Sequence, residues 1–122
     1  MGPSHAVDRI DQAVAAAKQW LALVDGGKYA ASWREAAPLF QDKVPEKQWE
    51  ATIAAVRGPL GEAKSREVLG AQFITELPGA PAGQYVVIRL KTDFASKPGS
   101  IETVTPMKDA QGAWRVSGYY IK

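Results

Sequence analysis

Few side chains in this 122-residue chain have both the type and the company to do chemistry. Glu76 and Asp93 are the candidates for a general base, because a carboxyl taken out of water has its pKa raised toward neutrality. Both fall opposite the apolar positions of their strands, which reads as solvated strand-end carboxylates instead. Metal binding needs converging His, Cys, Asp or Glu. The chain has no cysteine and a single histidine, His5, at its extreme start. Asp25, Glu35, Asp42 and Glu46 could build only an all-carboxylate site, and no calcium-loop spacing joins them. No metal and no cofactor is expected. Ser32, Ser65 and Ser117 lack a histidine partner and a nucleophile-elbow context. Gly58-Pro59-Leu60-Gly61 follows a helical pattern and lacks the Gly-Lys-Ser/Thr ending of a phosphate loop, so it reads as a helix terminator. Arg57 and Arg66 flank that turn. They could hold an anion, but pairing with Glu62, Glu67 or backbone carbonyls is the expected role. No catalytic residue is expected.

The aromatic residues offer more. Trp20, Trp33 and Trp49 fall on helix faces that should point inward, and Trp114 begins the last strand. Each buried indole needs an acceptor for its N–H. Packing alone justifies them, since truncating a core Trp to Ala costs about 3–5 kcal/mol. If a ligand pocket exists, Trp33, Trp114 and Tyr120 should line it, with Arg66 as its polar anchor.

These residues must be positioned by one small domain, because 122 residues can bury only a modest core. A net charge of +2 with no long basic run argues against nucleic-acid binding. No apolar run approaches the roughly 18 residues of a membrane span. The absence of cysteine excludes disulfides without fixing a redox compartment. Residues 1–6, opening Met1-Gly2-Pro3-Ser4-His5, read as a disordered remnant of cloning joined to a mature start, which implies a leader removed before it. The domain then covers residues 7–122.

The first half of that domain has helical periodicity. Val7, Ile10, Val14, Ala17, Leu21 and Val24 recur at steps of three and four, widened by Ala13 and Trp20, predicting a helix over Asp8–Val24. Asp8 suits its N-cap and Asp25-Gly26-Gly27 its stop. A second helix is predicted over Lys28–Ala37, interrupted by Pro38. A third starts at Pro45, with Trp49, Ile53 and Val56 as its apolar face. Beyond Gly61 the period becomes alternating. Strands are predicted over Val68–Leu77, Gln84–Phe94 and Ser100–Lys108, then from Trp114 to the end. Gly70 and Pro106 mark irregularities in the first and third. Strict alternation puts Leu69, Ala71, Phe73, Thr75 and Leu77 inward on the first strand. On the last it puts Trp114, Val116, Gly118 and Tyr120 on one face, and Arg115, Ser117, Tyr119 and Ile121 on the other. The fold class is therefore α+β, about three helices packed on a four-stranded antiparallel meander.

Two stretches carry a resemblance. One is Trp20-Leu21-Ala22-Leu23-Val24-Asp25-Gly26-Gly27-Lys28-Tyr29-Ala30-Ala31-Ser32-Trp33. The other pairs Arg57-Gly58-Pro59-Leu60-Gly61 with Trp114-Arg115-Val116-Ser117-Gly118-Tyr119-Tyr120-Ile121. Together they resemble the bacterial domain-of-unknown-function family 4019. The resemblance implies a cystatin-like or nuclear-transport-factor-2-like cone, with helices packed into a curved sheet. It also implies a periplasmic or secreted location. It carries no activity and no catalytic residues.

The function expected from these readings is a non-enzymatic envelope domain that binds a partner protein or a small apolar ligand. The alternatives are a small isomerase or dehydratase with a buried carboxylate beside Tyr85 or Tyr120, and a structural accessory domain. The outer sheet face, with Tyr85, Val87, Arg89, Arg115 and Tyr119, mixes aromatics with arginine as interfaces do. Self-association through the sheet, or a periplasmic protein partner, is expected there.

Overall fold

The computed structural model describes residues 5–122, which form four helices followed by four strands. The first residues of the expected cloning remnant, 1–4, and the Val7 side chain lie outside the described residues; His5 and Ala6 belong to the first helix. That helix, α1, spans His5–Asp25. Its buried stripe is Ala13, Ala17, Trp20, Leu21 and Val24, wide enough to lie across a sheet. Because α1 begins before Asp8, that carboxylate sits inside the first turn, where it favours the helix dipole without capping the end. The stop is a Schellman ending. Gly27 takes φ 73°, its N–H donates to Val24 O at 3.0 Å, and Lys28 N–H donates to Leu23 O at 2.8 Å.

The region expected to hold one second helix makes two, α2 (Tyr29–Glu35) and α3 (Pro38–Lys43). Pro38 occupies the first turn of α3, where its missing N–H has no partner to lose, so it starts a helix as well as ending one. Pro45 then serves as the N-cap of α4 (Glu46–Leu60). Pro59 stays within the last turn of α4, and the actual stop is Gly61 at φ 77°. The buried face of α4 runs in steps of four through Trp49, Ile53 and Arg57. Val56, expected on that face, is 41% exposed. A charged side chain has taken the interior position, and the reason lies in the polar cluster described below.

The sheet is an open antiparallel meander in the order β1-β2-β3-β4. Its strands are β1 (Ala63–Ile74), β2 (Tyr85–Phe94), β3 (Lys97–Lys108) and β4 (Trp114–Ile121). Helix α1 touches all four strands, and α2 joins α1 to α4. On β2 the predicted alternation holds, with Val86, Ile88, Leu90, Thr92 and Phe94 all buried. On the two edge strands it fails, for one shared reason. Each carries an extra residue inside the alternating stretch, Leu69 on β1 and Ser117 on β4, that reverses the parity on one side of it, while Ala71 and Phe73, opposite Ile88 and Val86, keep the predicted side.

On β1 the register shifts between Val68 and Gly70, leaving Leu69 unpaired and 48% exposed. Gly70 thus lies at an irregularity, as expected, but Arg66 and not Leu69 shares the side of the buried Thr92. On β4 the shift falls at Ser117, whose hydroxyl donates to Thr105 O at 2.7 Å. Trp114 and Val116 face the helices before it. After it Tyr119, opposite Val104, takes that side and Tyr120, opposite Thr103, turns out. Tyr119 and Tyr120 have exchanged the faces that simple alternation gives them.

Candidate functional site

Four charged side chains from four elements meet where α1 ends. Asp25 closes α1, Arg57 comes from the inner face of α4, Arg66 from β1 and Glu102 from β3. Arg66 grips Glu102 with two bonds, Nε to Oε1 at 2.7 Å and Nη2 to Oε2 at 3.3 Å. It also reaches Asp25 through Nη1 at 2.8 Å and Nη2 at 3.1 Å. Arg57 Nη2 donates to the same Asp25 carboxylate at 2.7 Å. Glu102 is fully buried and is completed by Thr92 Oγ1 at 2.5 Å and by the Tyr119 hydroxyl.

The cluster holds two arginines and two carboxylates, so it is neutral as a whole. Paired charge is the condition under which burial of this kind is tolerated. Burial works to raise the Asp25 carboxyl, but the bonds from Arg66 and Arg57 outweigh it and hold the group below its usual value. For Arg66 burial pulls down, while the bonds to Asp25 and Glu102 prevail and raise it. Burial and the adjacent Glu102 charge push the Tyr119 hydroxyl up, so the phenol stays protonated and donates. Arg57 is only 5% exposed; its Nε and Nη1 have no hydrogen-bond partner, and its guanidinium lies 4.8 Å over the Phe94 ring. The cation–π contact offsets part of that desolvation.

Chemically, Glu102 is a saturated acceptor. Four donors already occupy its two oxygens. It is the buried carboxylate beside a tyrosine that an isomerase reading calls for, yet it holds no free position for a substrate proton.

A second polar centre organises the tryptophans. Trp20 Nε1 donates to Ser32 O at 2.8 Å, and Trp49 Nε1 to Ser32 Oγ at 2.9 Å. The same hydroxyl donates to Tyr29 O at 2.6 Å. Ser32, considered above only as a nucleophile, is the acceptor that lets two indoles be buried. Trp20 also meets Tyr119 edge to face at 5.3 Å and Trp49 at 5.9 Å.

Trp20 also lines a cleft of about 580 Å³ between α1, α2 and the start of β4. Its floor is Trp20, Leu23, Trp114 and Val116. Polar groups stand around it: Gln19 from α1 and Glu35 from α2. The volume falls within the range of small-molecule sites, about 300–1,000 Å³.

The sequence model of one family, described as "Protein of unknown function (DUF4019)", matches residues 16–119. The chain belongs to the DUF4019 family. No curated protein and no solved structure matches it. The match runs from the cleft-facing part of α1 to Tyr119, so both the polar cluster and the cleft lie inside the shared DUF4019 region.

The residues singled out from the DUF4019 sequence do not gather in one place. Trp114 lines the cleft. Trp33 lies outside it, its Nε1 donating to Val44 O at 2.6 Å. Arg66 is engaged in the ion-pair cluster, with Asp25 and Glu102 as partners in place of Glu62 or Glu67. Tyr120 is 56% exposed on the opposite face of the sheet, a consequence of the bulge at Ser117. Of the expected outer-face set, Val87, Arg89 and Arg115 sit on that face, Arg115 opposite Met107. Tyr119 points inward. Tyr85 is fully buried, its hydroxyl donating to Pro81 O at 2.6 Å in the loop that precedes β2.

Asp93 accepts from Ser65 Oγ at 3.2 Å and from Gly99 N–H at 2.7 Å, and Glu76 is exposed in the loop after β1. Neither faces the helices. Among the described residues no cluster of metal-ligating side chains occurs, and no helix is long and apolar enough to cross a membrane. Glu102 escaped the sequence reading altogether. Its signal was available: Glu102 shares its parity with Val104 in a strand whose neighbours are apolar, and an acid in that place demands a cationic partner.

Proposed function

We propose that this DUF4019 chain is a non-enzymatic binding domain, located in the bacterial envelope, whose cleft between α1, α2 and β4 receives a small ligand with an apolar body. The cleft carries the reading. It combines an aromatic and aliphatic floor with a few polar groups at its rim, the composition of small-molecule sites. The saturation of Glu102 supports binding over proton transfer, since a general base must reach the proton that it abstracts. The envelope location rests on the family resemblance, as does a cone-like curvature of the sheet around its helices. Helices docked on one side of a four-stranded antiparallel meander are the arrangement that such cones require.

The test is a fluorescence titration with 8-anilinonaphthalene-1-sulfonate, with Trp20 and Trp114 as internal reporters. The protein should bind the dye saturably at one site, and Ala31→Trp, which fills the cleft from α2, should abolish that binding while unfolding at the parent temperature. A folded Ala31→Trp variant that binds the dye as well as the parent would sink the proposal.

A further inference from the structure

One side of the cleft is made by four consecutive residues, Ala113, Trp114, Arg115 and Val116. Side chains alternate along a strand, so four in a row border one cleft only where the backbone itself is part of the wall. β4 is an edge strand, and the backbone groups it turns away from β3 have no further strand to meet. The register says which groups those are. Residues opposite each other in an antiparallel pair either exchange both bonds or turn both away, in alternation. Asp109 N–H donates to Ala113 O at 2.8 Å, so that pair bonds, as Met107 and Arg115 must two residues on. The pairs in between turn away. Lys108, opposite Trp114, gives its N–H to Gln84 O on the β2 side at 3.0 Å, and Pro106, opposite Val116, has no N–H to give. The backbone groups of Trp114 and Val116 therefore leave the sheet at its open edge, beside the cleft. Val116 O is already used, accepting from Ala37 N–H at 2.8 Å. Ala36 and Ala37, the joint between α2 and α3, are both extended, so the chain lays a two-residue fragment of its own where a fifth strand would run. Trp114 N–H and C=O remain, and among the described residues nothing bonds to either across that edge.

We infer that the cleft receives a short extended peptide, which adds to β4 antiparallel and continues the edge pairing that Ala37 begins. This rests on the reading of the cleft as a binding site and adds the ligand class. One peptide residue, opposite Trp114, donates its N–H to Trp114 O and accepts from Trp114 N–H, the pairing by which sheet edges capture peptides. Its side chain falls on the same side as those of Trp114 and Val116, over the floor with Trp20 and Leu23, and so must be apolar. The side chains before and after it point to the other face and escape that requirement. The open stretch is short, because the turn from Asp109 ends it before Trp114 and Ala37 closes it at Val116. A few peptide residues fit there. A second copy of this chain does not, since its own β4 carries the same obstruction. A ligand without peptide groups would cover Trp114 N–H and C=O without replacing the water they bond, at a desolvation cost.

The experiment is titration of the full chain with Ac-Ala-Ile-Ala-NH2, read by displacement of the dye used above and by amide hydrogen exchange in NMR. Isoleucine supplies the apolar side chain and favours an extended backbone. The peptide should bind saturably and displace the dye. Well above its dissociation constant it should slow exchange of the Trp114 backbone amide at least ~10-fold. N-methylation of the isoleucine removes the one N–H aimed at Trp114 O and should weaken binding at least ~10-fold, the loss expected for one hydrogen bond with its acceptor left unpaired. N-methylation of the alanine after it, whose N–H points away from β4, should leave affinity nearly unchanged. Equal binding of all three peptides overturns the inference. So does binding that leaves Trp114 exchange unchanged or slows amides of β1, the other edge, in its place, and so does dye binding without peptide binding; each leaves the cleft reading standing. Slowing at Trp114 that appears in the protein alone as its concentration rises would assign the edge to a second copy and overturn the peptide. Binding of neither dye nor peptide overturns both readings.

Discussion

The polar cluster and the cleft use charge in opposite ways. In the cluster Glu102 and Arg57 are buried, Arg66 and Asp25 partly exposed, and the four are matched in number and tied by bonds of 2.7–3.3 Å. At the cleft Glu35 remains at the surface, and among the described residues no hydrogen bond or ion pair engages it. Paired buried charge specifies one arrangement of elements, since each ion left alone would be costly. Unpaired rim charge contributes almost nothing to the fold and remains available to something from outside. The contrast separates residues that hold this molecule together from residues that give it something to hold.

Substitutions should reproduce that division. The largest effect is expected at Arg66→Met, which strands Glu102 and deprives Asp25 of its bidentate partner. Urea denaturation should show a loss of about 3–5 kcal/mol; a loss below about 1 kcal/mol would mean that the cluster does not hold the fold. Tyr119→Phe removes one of the four donors to Glu102 and should cost about 1–3 kcal/mol at neutral pH. Because the folded state raises the Tyr119 hydroxyl, its contribution is complete below the ordinary tyrosine value near 10 and declines as pH rises beyond it. The parent should therefore lose more stability than Tyr119→Phe between neutral and strongly alkaline pH.

Asp25 works in the other direction. Its lowered value means that its contribution is present above about pH 4 and fades as pH falls through the folded-state value. Asp25→Asn should start less stable at neutral pH and lose less on acidification, which chemical denaturation at both pH values would measure. Gly61→Ala should cost about 1–2 kcal/mol in thermal unfolding, because its φ of 77° disfavours a side chain and the new Cβ would stand 3.1 Å from that of Ala95. Smallest of all, Glu35→Gln should leave stability within about 0.5 kcal/mol of the parent. A large loss there would place Glu35 in the first region rather than the second.

The order of helices and strands was legible because each helix and strand carries its own period, and because Gly27, Gly61 and the prolines punctuate them. The inward face of β2 was legible, because Val86 to Phe94 stay in step with no extra residue in that strand, though Tyr85, expected to face out, is buried under the preceding loop. The edge strands were not. An unpaired Leu69 or Ser117 is free to enter a strand with only one neighbour, and nothing in the local composition distinguishes it from a residue in step. That one ambiguity misplaced Leu69, Tyr119 and Tyr120. The candidate site suffered more, because its partners are distant in the chain. Arg66 was matched to nearby Glu62 and Glu67, whereas its actual partners lie 41 and 36 residues away. Val56 was preferred to Arg57 on hydropathy, although the four-residue step from Trp49 and Ile53 favours Arg57.

The meander order of the sheet has a further consequence, in time. Every strand pairs with its neighbour in sequence, so the sheet can zip together through short loops. The ion pairs of Arg66 with Asp25 and Glu102 cannot form until β1 has met β3 across the sheet and α1, the earliest helix in the chain, has closed back over it. They should thus belong to the last stage of assembly, after the rate-limiting barrier, and substitutions among them should hasten unfolding while leaving the refolding rate nearly unchanged. The buried charges would then act as a latch, slow to open once closed, and the lifetime of the native state would depend on them more than its speed of formation does.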